Sequence, residues 1–195
     1  PVPAGAFEGS ARPRCADCGE GDYALEETLA FGAYQGPLRL AHHAFKFEGM
    51  ERLGARLADR MAGEVPAGFW EGAAALVPVP MSAERERERG YHPARLLARR
   101  LSARAGLPLG DWLRKVRPTP PQMSLDRAKR LTGPKGAFRY AGPSPGPEAV
   151  VLVDDVLTTG ATLEECARVL RRAGWARIRA VVFGRTPRDF RPAGP

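Results

Sequence analysis

The sequence predicts an α/β fold in which helices flank a mostly parallel sheet. Segments typical of strands alternate with segments typical of helices, and this alternation builds parallel sheets from strand–helix–strand units. The run from Ala149 to Val153 is apolar without interruption, as in a parallel strand covered on both faces. A length of 195 residues fits one such domain with a small additional segment.

In the first half of the chain, a short strand and a short helix precede a longer helix and a buried strand. The longer helix is predicted from apolar residues at helical spacing, and Gly63 and Pro66 end it. The buried strand ends where prolines interrupt it. The strands are Phe31–Tyr34 and Ala73–Val79, the short helix is Leu38–Phe45, and the stripe of the longer helix is Met50, Leu53, Leu57 and Met61.

The next predicted helix runs from Pro93 to Ala105, because proline is permitted in a first turn and Gly106 suits the exit. Its inner face would carry Ala94, Leu97, Ala98 and Leu101. Short strands at Trp112–Val116 and Ala137–Tyr140 follow. Between them, Arg117 to Gly136 is rich in Pro, Arg and Lys, which favours a functional lid or a mobile loop.

The last part of the chain completes the alternation. After the apolar strand, a helix is predicted over Thr162–Ala173, ending at Gly174, and a strand over Ile178–Phe183. The residues after Arg185 are predicted to be an unfolded tail.

Composition points to a phosphorylated ligand or to nucleic acid. The formal net charge is +8, and only four of the 30 basic residues are lysine. Arginine matches phosphate geometry, although a GC-rich genome or a solvated surface would give the same excess. No stretch is long and apolar enough to span a membrane, and the first residues show no secretory signal pattern. We therefore expect a cytoplasmic protein without membrane insertion.

The cysteines do not form a disulfide framework, because the chain has only three. Cys15 and Cys18 have the spacing of half a zinc site, which normally needs four ligands. His42 and His43 are distant in sequence from the two cysteines and could supply the missing zinc ligands only if the fold brought them close by chance. Cys166 lies on the inner face of its predicted helix, so we interpret it as a buried packing residue.

The segment richest in chemistry follows the apolar strand. Two acids, Asp154 and Asp155, precede a loop of Thr158, Thr159, Gly160 and Ala161, and then Thr162 opens a helix. Backbone N–H groups and the helix dipole would cradle an anion there. Carboxylates accept hydrogen bonds from sugar hydroxyls, or they could bind hydrated Mg²⁺. This combination predicts a ribose 5-phosphate site, whereas the alternative is acids that only solvate the strand end and threonines that only cap the helix.

Local chemistry at that loop gives one further expectation. Thr162 and Glu165 have the spacing of a capping box, which would fix the helix start. Two glycine-rich phosphate-binding motifs, the P-loop and the dinucleotide-binding fingerprint, do not occur in the sequence.

These residues resemble the signature of the type I phosphoribosyltransferases, and the chain is most similar to their ComF family, which is associated with natural competence and DNA uptake. The resemblance covers about Phe31 to Arg185. It includes the segments Tyr34–Leu38, Lys46–Gly49, Val77–Pro80 and Arg87–Tyr91, and the residues Gln122, Leu125, Arg127, Arg130 and Gly136–Phe138. The family often begins with a four-cysteine zinc ribbon, so residues 1–24 would be a remnant with Zn²⁺ as a possible ligand, and residues 25–195 the phosphoribosyltransferase-like domain.

The resemblance implies transfer from phosphoribosyl pyrophosphate, with Mg²⁺ as a probable cofactor. Asp154 and Asp155 would hold the ribose hydroxyls, and Thr158 to Thr162 the 5-phosphate. Arg117 and Arg127, in the lid segment, are the leading candidates to bind the pyrophosphate as it leaves. The expected catalytic residues are Asp154, Asp155, Arg117 and Arg127. The pyrophosphate would contact Val79, Pro80, Arg87, Arg89 and Arg130, with Arg85 as a further candidate.

The resemblance implies that a hood near Ala24 to Phe47 chooses the acceptor, and no residue of that segment identifies a purine, a pyrimidine or an amine. The alternative function is a non-catalytic protein that senses phosphoribosyl pyrophosphate or handles single-stranded DNA together with competence proteins. His92 stands where the family has an Asn. We interpret it as a structural residue in preference to a general acid or base.

Overall fold

The computed structural model describes residues 23–117 and 134–187. Its elements in chain order are β1 (Glu27–Ala33), α1 (Gly36–Phe47), α2 (Glu51–Glu64), α3 (Ala67–Trp70), β2 (Ala73–Pro78), α4 (Ala83–Arg89), α5 (Pro93–Ala105), β3 (Leu113–Lys115), β4 (Phe138–Tyr140), β5 (Ala149–Leu157), α6 (Ala161–Ala173) and β6 (Arg177–Arg185).

Four of these strands form one parallel sheet in the order β1–β6–β5–β2. β5 pairs with β2 on one side and with β6 on the other, so its apolar residues lie in the middle of the sheet. β3 and β4 form a separate antiparallel pair. The predicted α/β fold with a mostly parallel sheet flanked by helices is therefore confirmed.

Two hydrophobic cores lie on opposite faces of this sheet, because successive strand side chains alternate between the faces. On one side, Val151 and Val153 of β5 pack with Phe45 of α1 and with residues of α2 and α5. We call this side the α1 face. On the other side, Val150 and Leu152 pack with α6 and with the β3–β4 pair, and we call it the α6 face.

Most predicted elements are present, but several bounds differ. α5 spans the predicted residues, and its predicted inner face is buried. β1 begins before the predicted strand, at Glu27, where it starts to pair with β6. α2 passes through Gly63 to Glu64, so that glycine does not end the helix. β5 does not stop at Val153 as predicted, because its pairing with β6 continues to Leu157.

Some predictions fall on residues that the structure does not describe. They concern Cys15 and Cys18, most of the segment between Arg117 and Gly136, and the tail beyond residue 187. Within residues 23–117 and 134–187, none of the helices has the length and apolar character needed to cross a membrane.

Candidate functional site

Asp154 and Asp155 lie at the carboxyl end of β5, where ligands bind in open α/β sheets. The sequence analysis placed both acids after the strand, but the structure includes them in it. Their side chains therefore alternate, with Asp155 on the α1 face and Asp154 on the α6 face. The two neighbouring carboxylates consequently meet different surroundings.

Asp155 is 9% exposed and is held by donors from α1 and from its own strand. Its Oδ2 atom accepts hydrogen bonds from Lys46 Nζ and from His42 Nε2, the latter at 3.1 Å. Its Oδ1 atom accepts from the backbone N–H of Val156 at 2.8 Å. Burial alone would raise the pKa of Asp155, but Lys46 and His42 together hold it well below its usual value. Asp155 is thus a fixed anion.

The contact of Asp155 continues through His42, in the middle of α1, to Tyr34, which precedes that helix. His42 is 1% exposed, and its Nδ1 atom lies 2.9 Å from the hydroxyl of Tyr34. Since its Nε2 atom faces Asp155, the ring connects Tyr34, just after β1, to the end of β5. These bonds fix the position of α1 over the carboxyl edge of the sheet.

Asp154 has weaker support. Its Oδ1 atom accepts a hydrogen bond from the backbone N–H of Asp155 at 2.8 Å, and it forms no ion pair with any described residue. Burial, reinforced by the charge of Asp155, raises the pKa of Asp154 well above its ordinary value. Lys115 and Cys166 lie close enough on this face to sense its charge. Asp154 is therefore the acid less committed to the protein itself.

The loop after β5 has the form expected of an anion cradle. Gly160 adopts the left-handed conformation with φ +80° at the N-cap position, and α6 begins at Ala161. The Thr159 hydroxyl accepts a hydrogen bond from the backbone N–H of Ala161 at 3.4 Å. The loop thus presents the amino end of a 13-residue helix beside Asp154.

The predicted capping box is wrong. Thr162 lies inside the first turn of α6 instead of at its N-cap. Glu165 is buried, and its Oε1 atom accepts from the backbone N–H of Gly136 at 2.8 Å. Glu165 therefore ties α6 to the end of the undescribed segment.

The predicted pyrophosphate residues separate into different positions. Val79 is buried, and its N–H donates to the carbonyl of Val153 at 2.9 Å, so Val79 and Pro80 follow directly on the sheet edge. Arg87 is exposed on α4, where its Nε donates to Ala83 O at 3.3 Å. Arg89, at the end of α4, instead lies against Phe47, with 5.2 Å between its guanidinium carbon and the ring centre.

The arginines of the predicted lid are only partly described. Arg117 donates to the carbonyls of Lys135 and Gly136, at 2.8 and 3.0 Å, and so joins the two ends of the segment. Arg127 and Arg130 lie outside the described residues. The site roles of these arginines stay predictions.

His92 has a structural position. It is the N-cap residue of α5, and its ring nitrogens lie 3.1 and 3.2 Å from the backbone nitrogens of Met81 and Arg95. A neutral imidazole accepts through one nitrogen, and burial lowers the pKa of His92, so the neutral form is favoured. This agrees with the interpretation of His92 as structural.

Sequence analysis missed the functional importance of three residues that contact Asp155 directly or through another side chain. Lys46 and Tyr34 occur in the segments that carry the family resemblance, but no role followed from them, and His42 was considered only for zinc. Their separations from Asp155, 109 residues for Lys46 and 113 for His42, exceed any local periodicity. The available signal was that basic residues of the hood segment, such as Lys46, could pair with the two acids after the apolar strand.

The described residues do not surround a metal ion. No group of three or more His, Cys, Asp or Glu side chains within them could hold one. Mg²⁺ usually keeps several waters and binds through substrate phosphates with one or two carboxylates. Asp154 fits that limited role, whereas Asp155 is occupied by Lys46 and His42.

Comparisons with known proteins show which family the chain resembles. The phosphoribosyl transferase domain family matches residues 87–192. The chain is 32% identical to "Competence protein F" of Haemophilus influenzae over 82% of this chain and 73% of that protein. It is 30% identical to "DNA utilization protein YhgH" of Salmonella typhi, over 88% and 78%. Among solved structures, it resembles orotate phosphoribosyltransferase from Aeropyrum pernix, with 23% identity, 69% and 59% coverage and a TM-score of 0.38.

Proposed function

Since the chain belongs to the ComF family of phosphoribosyltransferase-like proteins, we propose that it binds phosphoribosyl pyrophosphate with Mg²⁺ and transfers the phosphoribosyl group to an acceptor. The observation that carries the proposal is the juxtaposition, at one sheet edge, of the Gly160 loop, the amino end of α6 and Asp154. The names of the relatives suggest that this happens in DNA uptake or utilisation, and we place it in the cytoplasm.

In this proposal, the amino end of α6 and the loop from Thr158 to Thr162 bind the 5-phosphate. Asp154 accepts hydrogen bonds from the ribose hydroxyls. Asp155 keeps at most limited accepting capacity, because its two oxygens already take three hydrogen bonds from the protein. We therefore assign Asp155 mainly to positioning α1 through Lys46 and His42.

The reaction needs orientation and charge stabilisation and no covalent nucleophile from the protein. A lone pair of the acceptor forms the new bond to C1, the bond from C1 to oxygen breaks, and pyrophosphate leaves with its electron pair. A proton on the attacking atom would pass to water. Mg²⁺, when bound, neutralises charge on the pyrophosphate. Arg117, Arg127 and Arg130 are the proposed partners of the leaving group.

Calorimetry with ribose 5-phosphate and with phosphoribosyl pyrophosphate plus Mg²⁺ tests the proposal. Thr158→Val removes a loop hydroxyl and should weaken both by about tenfold, since a hydrogen bond to a charged group contributes roughly 1.5 kcal/mol. Thr28→Val, on β1, is the matched control and should bind as the wild type does. Pyrophosphate release over a panel of bases and amines then tests turnover. Absence of binding by the wild type would refute the proposal.

A second candidate function, DNA handling without transfer, is favoured by one observation. A cavity of about 700 Å³ between α2, α4 and α5 is lined by Arg52, Arg95, Arg99 and Arg100, with Glu51 and Glu86 beside them. Arginine suits phosphodiester groups, and two of the relatives' names refer to DNA utilisation or competence. Binding of single-stranded DNA that falls steeply with salt, with no pyrophosphate release, would favour this candidate. A flat salt response would exclude phosphate neutralisation.

A further inference from the structure

The two edges of the parallel sheet differ in how their outer backbone groups are satisfied. At the β2 edge, the backbone N–H of Leu76 donates to Pro108 O at 2.9 Å, and that of Gly110 donates to Leu76 O at 2.8 Å. At the opposite edge, no strand among the described residues pairs with the outer side of β1. A strand edge with unpaired N–H and C=O groups is a template for pairing with another chain.

Leu29 and Phe31 supply the outward backbone groups of β1. Neighbouring residues of a strand direct their N–H groups to opposite sides, and the N–H groups of Glu26 and Tyr34 both donate to β6, at 2.8 Å each. The odd-numbered residues of β1 therefore point away from β6. The backbone groups of Leu29 and Phe31 make no hydrogen bond within the part of the chain that the structure describes.

The side chains along this edge suit a protein partner. β1 contains neither lysine nor proline, two residues that commonly protect an edge from pairing. Leu29 and Phe31 line a small, mainly apolar cleft together with Met61 and Val65 at the end of α2. None of the seven residues of β1 is buried. A second strand at this edge would therefore remove apolar surface from water and satisfy the backbone at the same time.

The described chain meets its undescribed segments away from the β1 edge. Before β1, the N–H of Ala24 donates to Glu164 Oε1 at 3.0 Å and its carbonyl accepts from Arg171 at 2.9 Å, so the chain reaches β1 from α6. After β6, the N–H of Thr186 donates to Leu157 O at 2.9 Å, so the chain leaves toward β5. The other two boundaries, at residues 117 and 134, adjoin the β3–β4 pair. These positions favour a second molecule as the partner of β1.

A second copy of the chain fits the edge in an antiparallel register. With a two-fold axis at Ala30, Leu29 lies opposite the partner's Phe31, so the outward-facing residues of the two strands exchange hydrogen bonds. The same register places these two apolar side chains side by side on the α1 face, and such cross-strand pairs stabilise a sheet. Glu27 lies opposite the partner's Ala33, so no like charges of the two strands oppose each other.

We propose that β1 is the contact of a symmetric dimer, in which two copies of this chain pair their β1 strands and join their four-stranded sheets into one. The contact lies beside the candidate site, because Tyr34 directly follows β1 and its hydroxyl lies 2.9 Å from His42 Nδ1. The inference does not depend on the proposed transferase function.

Light scattering measures the mass of the wild type and of two matched leucine variants. The wild type should have twice the chain mass of 21.1 kDa. Leu29→Lys places a charge at the centre of the contact and should halve the measured mass. Leu40→Lys, at a residue of α1 that is 72% exposed, makes the same chemical change elsewhere and should leave the mass unchanged. Circular dichroism shows whether both variants are folded.

Disulfide cross-linking tests the register with smaller changes of side chain. It uses a chain with Cys15→Ser and Cys18→Ser, since the remaining Cys166 is buried. Ala30→Cys should give a disulfide-linked dimer on oxidation, because residues on the axis of such a pair have Cα atoms about 4.5 Å apart, within disulfide range. Thr28→Cys, on the same face of the strand, lies opposite the partner's Gly32 and should not cross-link.

The inference is overturned if the wild type has the mass of a single chain, or if Leu29→Lys folds and keeps the dimer. Dissociation by Leu40→Lys would place the contact on α1 and would also overturn it. Cross-linking of Thr28→Cys without that of Ala30→Cys would contradict the register. Mass and cross-linking are measured without ligand, so absence of ribose 5-phosphate binding is a separate result that concerns only the proposed function.

Discussion

On the α1 face of the sheet, Asp155 is enclosed by Lys46 and His42, whereas on the α6 face Asp154 has no ion pair with a described residue. The pKa of Asp155 is held low by these two basic groups, although burial opposes them. The pKa of its neighbour is raised by burial and by the charge of Asp155. Two identical side chains, adjacent in the chain, thus have opposite electrostatic environments.

The difference shows how one strand end can supply two functions. A carboxylate with three protein donors fixes the element that donates to it, here α1. A carboxylate without such a partner remains able to exchange hydrogen bonds with a ligand. The alternation of side chains along β5 is enough to separate the two roles.

The largest expected effect is on folding, from Asp155→Asn. The substitution leaves Lys46 without its anionic partner and replaces one of the two accepting carboxylate oxygens with an amide NH2 group, while His42, Lys46 and Val156 all donate to this side chain. The free energy of unfolding should therefore fall by about 3 kcal/mol. Asp154→Asn should not lower it at pH 7. Urea unfolding of both variants measures the contrast, and equal losses would break the comparison.

Lys46 provides the next test of the α1 face. Lys46→Met should lower the free energy of unfolding by about 2 kcal/mol, because the buried Asp155 keeps only His42 and Val156 as donors. Lys46→Arg preserves the charge and should recover part of the loss. If methionine and arginine lower the free energy of unfolding equally, the charge of Lys46 does not stabilise the α1 face.

The raised pKa of Asp154 predicts that this residue contributes less to stability as the pH rises. A carboxyl group whose pKa is raised on folding contributes stability below its unfolded pKa, about 3.9, and loses it as pH rises through the folded pKa. Between these values, wild type should lose stability relative to Asp154→Asn by up to about 1.4 kcal/mol per pH unit. Unfolding curves from pH 4 to pH 8 measure this, and a constant difference would contradict the assigned environment.

The smallest effect concerns Cys166, which lies fully buried on the α6 face near Asp154. Cys166→Ala should cost about 1 kcal/mol by loss of packing and should leave ribose 5-phosphate binding unchanged. Calorimetry and urea unfolding of this variant distinguish packing from chemistry. A large loss of ribose 5-phosphate binding would mean that Cys166, and not Asp154 alone, contributes to the ligand site on the α6 face.

Local sequence patterns were sufficient for the elements that their own residues determine. α5 was predicted at its observed bounds, because Pro93, the apolar stripe and Gly106 all act locally. α4 was missed because its sequence, Ala83–Arg89, has no buried residue and hence no apolar stripe. Its Ser82 N-cap, with the side chain accepting from Arg85, and its left-handed Gly90 were the available signals.

The functional loop was predictable, but the division of labour between the acids was not. The order of acids, threonines and glycine identified the site, whereas the end of β5 depends on pairing with β6 as far as Arg185. Asp155 meets Lys46 and His42 only after the chain has folded. Contacts of this kind follow from tertiary packing, which sequence spacing does not encode.

The most direct test of the central claim is a calorimetric titration of phosphoribosyl pyrophosphate and Mg²⁺ into wild type and Asp154→Asn. We expect wild type to bind and the variant, folded as well as wild type, to bind at least tenfold more weakly, a loss of about 1.4 kcal/mol. A wild type that binds no ligand, or a variant that binds equally well, would contradict the assignment of this strand end to a phosphoribosyl ligand.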